Sequence, residues 1–187
     1  MRKKLITAII ALTLALSCLV GVTVAWLSVK TENVVNTFSP SNIGLTLTET
    51  TGNTYKMIPG ETLAKNPTVT VTNDIACYVF VKVEKINNVD NFLDYSIDTS
   101  VWTKLESGVY YKIVEANAAN KTFNVLTDNE VTVKDTVTKD DMANLYNTDG
   151  TVKANTELPN LTFTAYAIQQ AGFETAEAAW TEAQKLG

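Results

Sequence analysis

The chain has 187 residues, 45% of them hydrophobic, with 15 basic and 20 acidic side chains, a formal net charge of −5 and no histidine. A chain of this length suits one domain with a sizeable core. The acidic balance argues against nucleic acid and anionic membrane surfaces as partners, and the missing imidazole removes the usual general base and the commonest metal ligand.

Residues 1–25 read as a secretory signal. Met1-Arg2-Lys3-Lys4 give a basic start, and residues 5–24 (LITAIIALTLALSCLVGVTV) an apolar run without charge. Thr23 and Ala25 place small residues three before and one before a cut that makes Trp26 the first residue of the exported chain, as a signal peptidase requires. Two alternatives stay open. Residues 5–27 are long enough to remain as an uncleaved anchor. Cys18 could carry a lipid, although Ala15-Leu16-Ser17-Cys18 has Ala where a lipobox usually has Leu. Cleavage removes Arg2, Lys3 and Lys4, leaving 12 basic against 20 acidic residues, a net charge of −8, in a single domain of residues 26–187. Cys77 is then the only cysteine, so no internal disulfide forms and stability rests on packing and pairing.

The body of the chain is rich in Thr, Val and Asn, and its β-branched residues favour pleated, half-buried surfaces. Residues 43–48 (IGLTLT) alternate with a period of two, as do residues 68–72 (TVTVT). Pro59-Gly60 between them predicts a tight turn. Residues 76–85 (ACYVFVKVEK) give the strongest strand, with Cys77, Val79, Val81 and Val83 on one face and Tyr78, Phe80, Lys82 and Glu84 on the other. Further strands are expected over residues 109–115, 123–126, 130–133 and 161–170. Asp149-Gly150 suits a hairpin turn.

Two segments read as helical. Over residues 138–146 Asp140 and Asp141 suit a first turn, and Met142 and Leu145 share a face. Residues 175–186 (TAEAAWTEAQKL) are rich in Ala, Glu and Gln, with Thr175 as N-cap and Trp180 as an anchor onto the sheet. The expected fold class is mostly β: an antiparallel β-sandwich with one small inserted helix and a short C-terminal helix.

No constellation of catalytic residues emerges, and no metal or cofactor is expected. Cys77 lies on the apolar face of its strand with no histidine to activate it. With Gly150 in sixth place, a calcium loop of the EF-hand kind puts Leu145 first and Thr156 twelfth, where oxygen ligands are needed; a weak surface calcium site is the most this segment offers. Asp140-Asp141 and Glu174 with Glu177 suit a solvated face better than a glycosidase pair. Leu158-Pro159-Asn160-Leu161-Thr162 starts like a sortase signal but lacks the Thr-Gly that should follow, which argues against covalent anchoring to a wall.

Several motifs taken together resemble the TasA/camelysin family of exported Gram-positive proteins, whose signals are cut by a dedicated peptidase of the SipW type. They are Thr23-Val24-Ala25-Trp26, then Lys30-Thr31-Glu32-Asn33, Phe38 and Ile43-Gly44-Leu45-Thr46-Leu47. Pro59-Gly60-Glu61 ahead of Val69 and Val71, and a closing strand Leu161-Thr162-Phe163-Thr164-Ala165-Tyr166-Ala167-Ile168-Gln169, complete the set. The resemblance implies a jelly-roll-like sandwich that is secreted and builds biofilm-matrix fibres, each subunit lending an N-terminal strand to the next. In this chain the donor would be residues 26–38, with Leu27, Val29 and Val35 on one face and Trp26, Val34 and Phe38 on the other. An ordinary first strand paired within its own domain is the alternative for this segment. The metalloprotease activity assigned to camelysins fits poorly, since without histidine a zinc site would rest on carboxylates and Cys77.

The leading expectation is thus a secreted structural protein that self-associates by strand addition and meets a membrane only through its transient signal. The second is an exported monomer that binds carbohydrate or protein through the loop of residues 87–98, with Tyr95 or Trp102 as contacts. A camelysin-like secreted protease is the third. The C-terminal helix around Trp180 is expected to cover a sheet edge and so restrain polymerisation.

Overall fold

A computed structural model of the chain describes residues 41–52 and 54–186. The alternating segments form strands because each has one apolar face to bury and one polar face to leave in water. In chain order they are β1 (Ile43–Thr48), β2 (Thr62–Ala64), β3 (Thr68–Asn73), β4 (Cys77–Ile86), β5 (Leu93–Asp94), β6 (Thr103–Glu106), β7 (Val109–Val114), β8 (Thr122–Asn124), β9 (Glu130–Val133) and β10 (Asn160–Gln169). The helices are α1 (Lys139–Ala143), between β9 and β10, and α2 (Ala176–Ala183), which continues as a 3-10 turn over Gln184–Leu186. The protein is mostly β, as expected.

Among the described residues the strands make three antiparallel sheets, ordered β1-β3-β8, β10-β4-β7-β6 and β2-β9-β5. One face of the four-stranded sheet packs against the two smaller ones. The core between them contains Val69, Val71, Val79, Val81, Phe123 and Val131, each at most 7% exposed. β4 realises the predicted alternation. Cys77, Val79, Val81 and Val83 face this inter-sheet core, while Tyr78 and Phe80 face the opposite side.

That opposite side is where α2 lies. Ala176, Ala179 and Ala183 let the helix approach the sheet closely, and Trp180 fills the space between Phe80 and Tyr166, with ring centroids 5.2 Å from each. Its indole Nε1 donates to Glu106 Oε1 at 2.8 Å. Thr175 caps the helix, its Oγ1 accepting from Ala178 N at 3.2 Å. The expectation that this helix guards a sheet edge is corrected by these contacts: its partners lie across the face of the four-stranded sheet, from β10 through β4 and β7 to β6. A helix whose buried stripe is small residues plus one large ring finds more apolar area on a sheet face than along a strand's polar backbone.

α1 is shorter than residues 138–146. Thr138 and Asp141 form a reciprocal capping box, but the last turn tightens, with Leu145 N donating to Met142 O at 3.1 Å and Tyr146 N to Ala143 O at 3.1 Å. The chain then enters the Asp149-Gly150 hairpin. Gly150 takes φ 83, and Asp149 Oδ1 accepts from Thr151 N at 3.0 Å and Thr151 Oγ1 at 2.6 Å. These bonds hold the Asp149 carboxyl below its usual range, so one of its oxygens serves the turn. The other predicted turn also forms, with Gly60 at φ 82 and Glu61 N donating to Ile58 O at 3.0 Å.

Three short strands, β2, β5 and β6, have no counterpart in the sequence reading. Two or three residues cannot display a period, and β6 carries a bulge between Lys104 and Glu106. The β6–β7 turn needs its glycine: Gly108 has φ 73, and a Cβ there would lie 2.7 Å from Val83 O.

Cys77 is fully buried, as expected, and burial pushes its thiol above the ordinary value of 9.0. A raised folded-state pKa means that the folded chain keeps this proton more tightly than the unfolded one. Its stabilising contribution is complete below the unfolded value and is lost as pH rises past about 9. In the chain beginning at Trp26, Cys77 is expected to resist a thiol reagent at about pH 8 and to react once urea unfolds the protein. Rapid stoichiometric labelling in native buffer would contradict the burial of this side chain between the sheets.

Candidate functional site

The edges of the three sheets differ in how they are protected. β2, β5 and β8 are three residues long or less, and β6 is bulged and carries Lys104 and Glu106, devices that discourage pairing with foreign strands. β1 and β10 have no such protection. β10 runs ten residues, Asn160–Gln169, and β1 six, Ile43–Thr48, without charge or proline in either. Each has a single ladder partner among the described residues, β4 for β10 and β3 for β1.

These two edges come together. β1 and β10 lie next to one another without forming a ladder, and the recesses at either end show how they run. At one end Ser41 and Ile43 face Ile168, Gln169 and Phe173. At the other, Leu47 and Thr48 share a cleft with the start of β10, from Asn160 to Phe163. The strands are therefore antiparallel to each other across a seam between two sheets.

The cleft at the second end has a volume of about 670 Å³. Its deeper wall includes Leu63 from β2, Leu93 from β5, Val131 from β9 and Leu161 and Phe163 from β10. A charged pair lies within it. Lys65 is only 8% exposed, and its Nζ donates to both carboxylate oxygens of Glu49, at 2.9 and 3.0 Å. The ammonium also lies 5.2 Å from the centre of the Tyr55 ring and 5.5 Å from that of Phe163, close enough for cation–π attraction. Tyr55 OH donates to the same carboxylate at 2.7 Å, and burial is the main reason its hydroxyl titrates above the usual range. The loop carrying Glu49 is pinned by Asn66, whose Oδ1 accepts from Thr50 N at 3.0 Å and Thr51 N at 3.2 Å. Glu49 and Lys65 thus stand in one fixed arrangement.

The predicted site residues fare differently. Thr23, Ala25 and Trp26 at the cleavage site, and Leu27, Val29, Val34, Val35 and Phe38 in the donor segment, lie outside the described residues. Trp102 is corrected: it is 1% exposed, packs edge-on to Phe123 and donates Nε1–H to Asn124 O at 2.7 Å, so it is a core residue. Tyr95 is half-buried, with Lys85 Nζ 5.6 Å from its ring centre. The sortase-like run 158–162 forms part of the cleft wall and the start of β10. Sequence reasoning passed over Lys65, Glu49 and Tyr55. The run Lys65-Asn66-Pro67 looks like a loop, and only the fold closes it against Glu49.

No family model matches the chain, nor does any curated protein or solved structure.

Proposed function

We propose that the chain is a secreted structural protein, a subunit or accessory of an extracellular matrix or surface fibre, that associates by β-strand addition. The observation that carries this reading is the seam, where the two long, uncharged edges among the described residues meet without pairing to each other. Unpaired N–H and C=O groups along such edges are templates for an extended segment, whose backbone bonds give affinity and whose alternate side chains fill recesses. The acidic charge keeps free subunits apart in solution. The proline-free segment of residues 26–38 has the length to serve as the added strand and apolar side chains for both of its faces, and the motif resemblance to the TasA/camelysin family points the same way. In this reading the chain is exported, its partners are copies of itself and the signal peptidase, and it has no catalytic role.

Two purified chains test it, one beginning at Trp26 and one at Ser39. The first is expected to assemble with increasing concentration, seen as fibres by electron microscopy and as growing species by sedimentation, while the second stays monomeric. Equal assembly by both would sink the donor-strand mechanism. Assembly by neither would favour an exported monomeric binding module.

A further inference from the structure

The cleft holding Glu49 and Lys65 has features that strand addition does not use. A buried ion pair is seldom retained for stability alone, because desolvation of the two charges offsets their attraction. Here the pair sits in a cavity of about 670 Å³, within the range of roughly 300–1,000 Å³ usual for small-ligand sites. The pair is neutral as a unit, so a charged ligand gains no net attraction from it. What the cleft offers instead is hydrogen bonding at fixed positions beside apolar surface. The Glu49 carboxylate is oriented by Lys65 Nζ and Tyr55 OH, and Thr48, Asn155, Asn160 and Thr162 join it in the lining. The half-buried Tyr55 and Phe163 contribute apolar ring surface. Alternating hydroxyls and C–H faces are the ligand chemistry that such a lining complements.

We propose that this cleft binds a neutral saccharide of one or two rings. Glu49 and Lys65 act as a preset acceptor and donor for neighbouring hydroxyls, Asn155 and Asn160 bond at the rim, and apolar side chains meet the sugar's C–H faces. Because the groups are already held in place, little ordering cost falls on binding. The site is independent of the assembly reading and would operate in a monomer.

The test titrates the chain beginning at Trp26 with cellobiose, maltose and N,N′-diacetylchitobiose up to about 10 mM, an affinity window that covers weak single-site binding. Binding is read by calorimetry and by NMR shifts of Tyr55 and Asn160. At least one sugar is expected to bind with a single site. Asn160→Ala and the paired change Glu49→Gln with Lys65→Met, which leaves no lone charge in the cleft, are each expected to weaken it roughly tenfold. Their thermal unfolding is followed in parallel to confirm folding. A peptide of residues 26–31 serves as the competing probe. Silence from all three sugars overturns the proposal, as does sugar binding that both variants leave unchanged. Peptide shifts at Tyr55 without any sugar response would also overturn it and assign the cleft to strand addition. Fibre formation by the same chain is scored separately, so either reading can fail alone.

Discussion

Replacing Glu49 by Gln is expected to destabilise the folded chain by about 2 kcal/mol, less than for a fully buried pair because the Glu49 side chain stays 22% exposed. The reason lies in what remains. Lys65 is 8% exposed and has Glu49 as its salt-bridge partner at 2.9 Å. Without that carboxylate the ammonium keeps its desolvation cost, and a neutral amide acceptor and the Tyr55 and Phe163 rings are the attraction left to it. Removing both charges, with Glu49→Leu and Lys65→Met together, is expected to restore stability to near the starting value or above, since an apolar pair of similar volume carries no desolvation cost. Urea unfolding of the two single variants and the double one completes the cycle. A Glu49→Gln cost below about 1 kcal/mol would mean that water reaches Lys65 freely and that the pair behaves like a surface one.

The second large effect is expected at Trp180. Truncation to Ala removes the ring held between Phe80 and Tyr166 and the hydrogen bond to Glu106. The expected loss is about 3–5 kcal/mol, the usual range for a buried aromatic cut to Ala. Because α2 is only eight residues long, it is too short to persist without tertiary packing. The loss should therefore appear first as fast amide exchange over α2, with Phe80 and Tyr111 newly accessible, before the sheets open. Trp180→Phe keeps an apolar ring and is expected to cost less, since Glu106 is exposed and can turn to water. Equal protection of α2 in Trp180→Ala and the parent chain would show that the alanine stripe alone holds the helix.

Trp180 and Trp102 show what could and could not be read from the chain. Trp180 falls in a segment with helical composition, a capping threonine and alanines on the same face, so its burial against a sheet follows from local pattern. Trp102 stands between short elements with no period of their own. Its place in the core depends on Phe123 and Asn124, more than twenty residues away. The long strands were legible for the same reason as α2: β4 repeats one alternation four times, at Cys77, Val79, Val81 and Val83. The strands β2, β5 and β6 were not, since tertiary pairing alone makes them strands.

The candidate site divides along the same line. The sequence by itself determined the strand-rich class, the two faces of β4, the helix carrying Trp180, the buried Cys77 and the turns at Gly60 and Gly150, because each depends on neighbours a few residues apart. Only the tertiary structure decided that the uncharged edges of β1 and β10 meet, that α2 covers a face rather than an edge, and that Lys65 is shut in a cleft with Glu49 and Tyr55. Those outcomes join residues far apart along the chain. Their cause is the burial of non-local apolar surface, which no local pattern records.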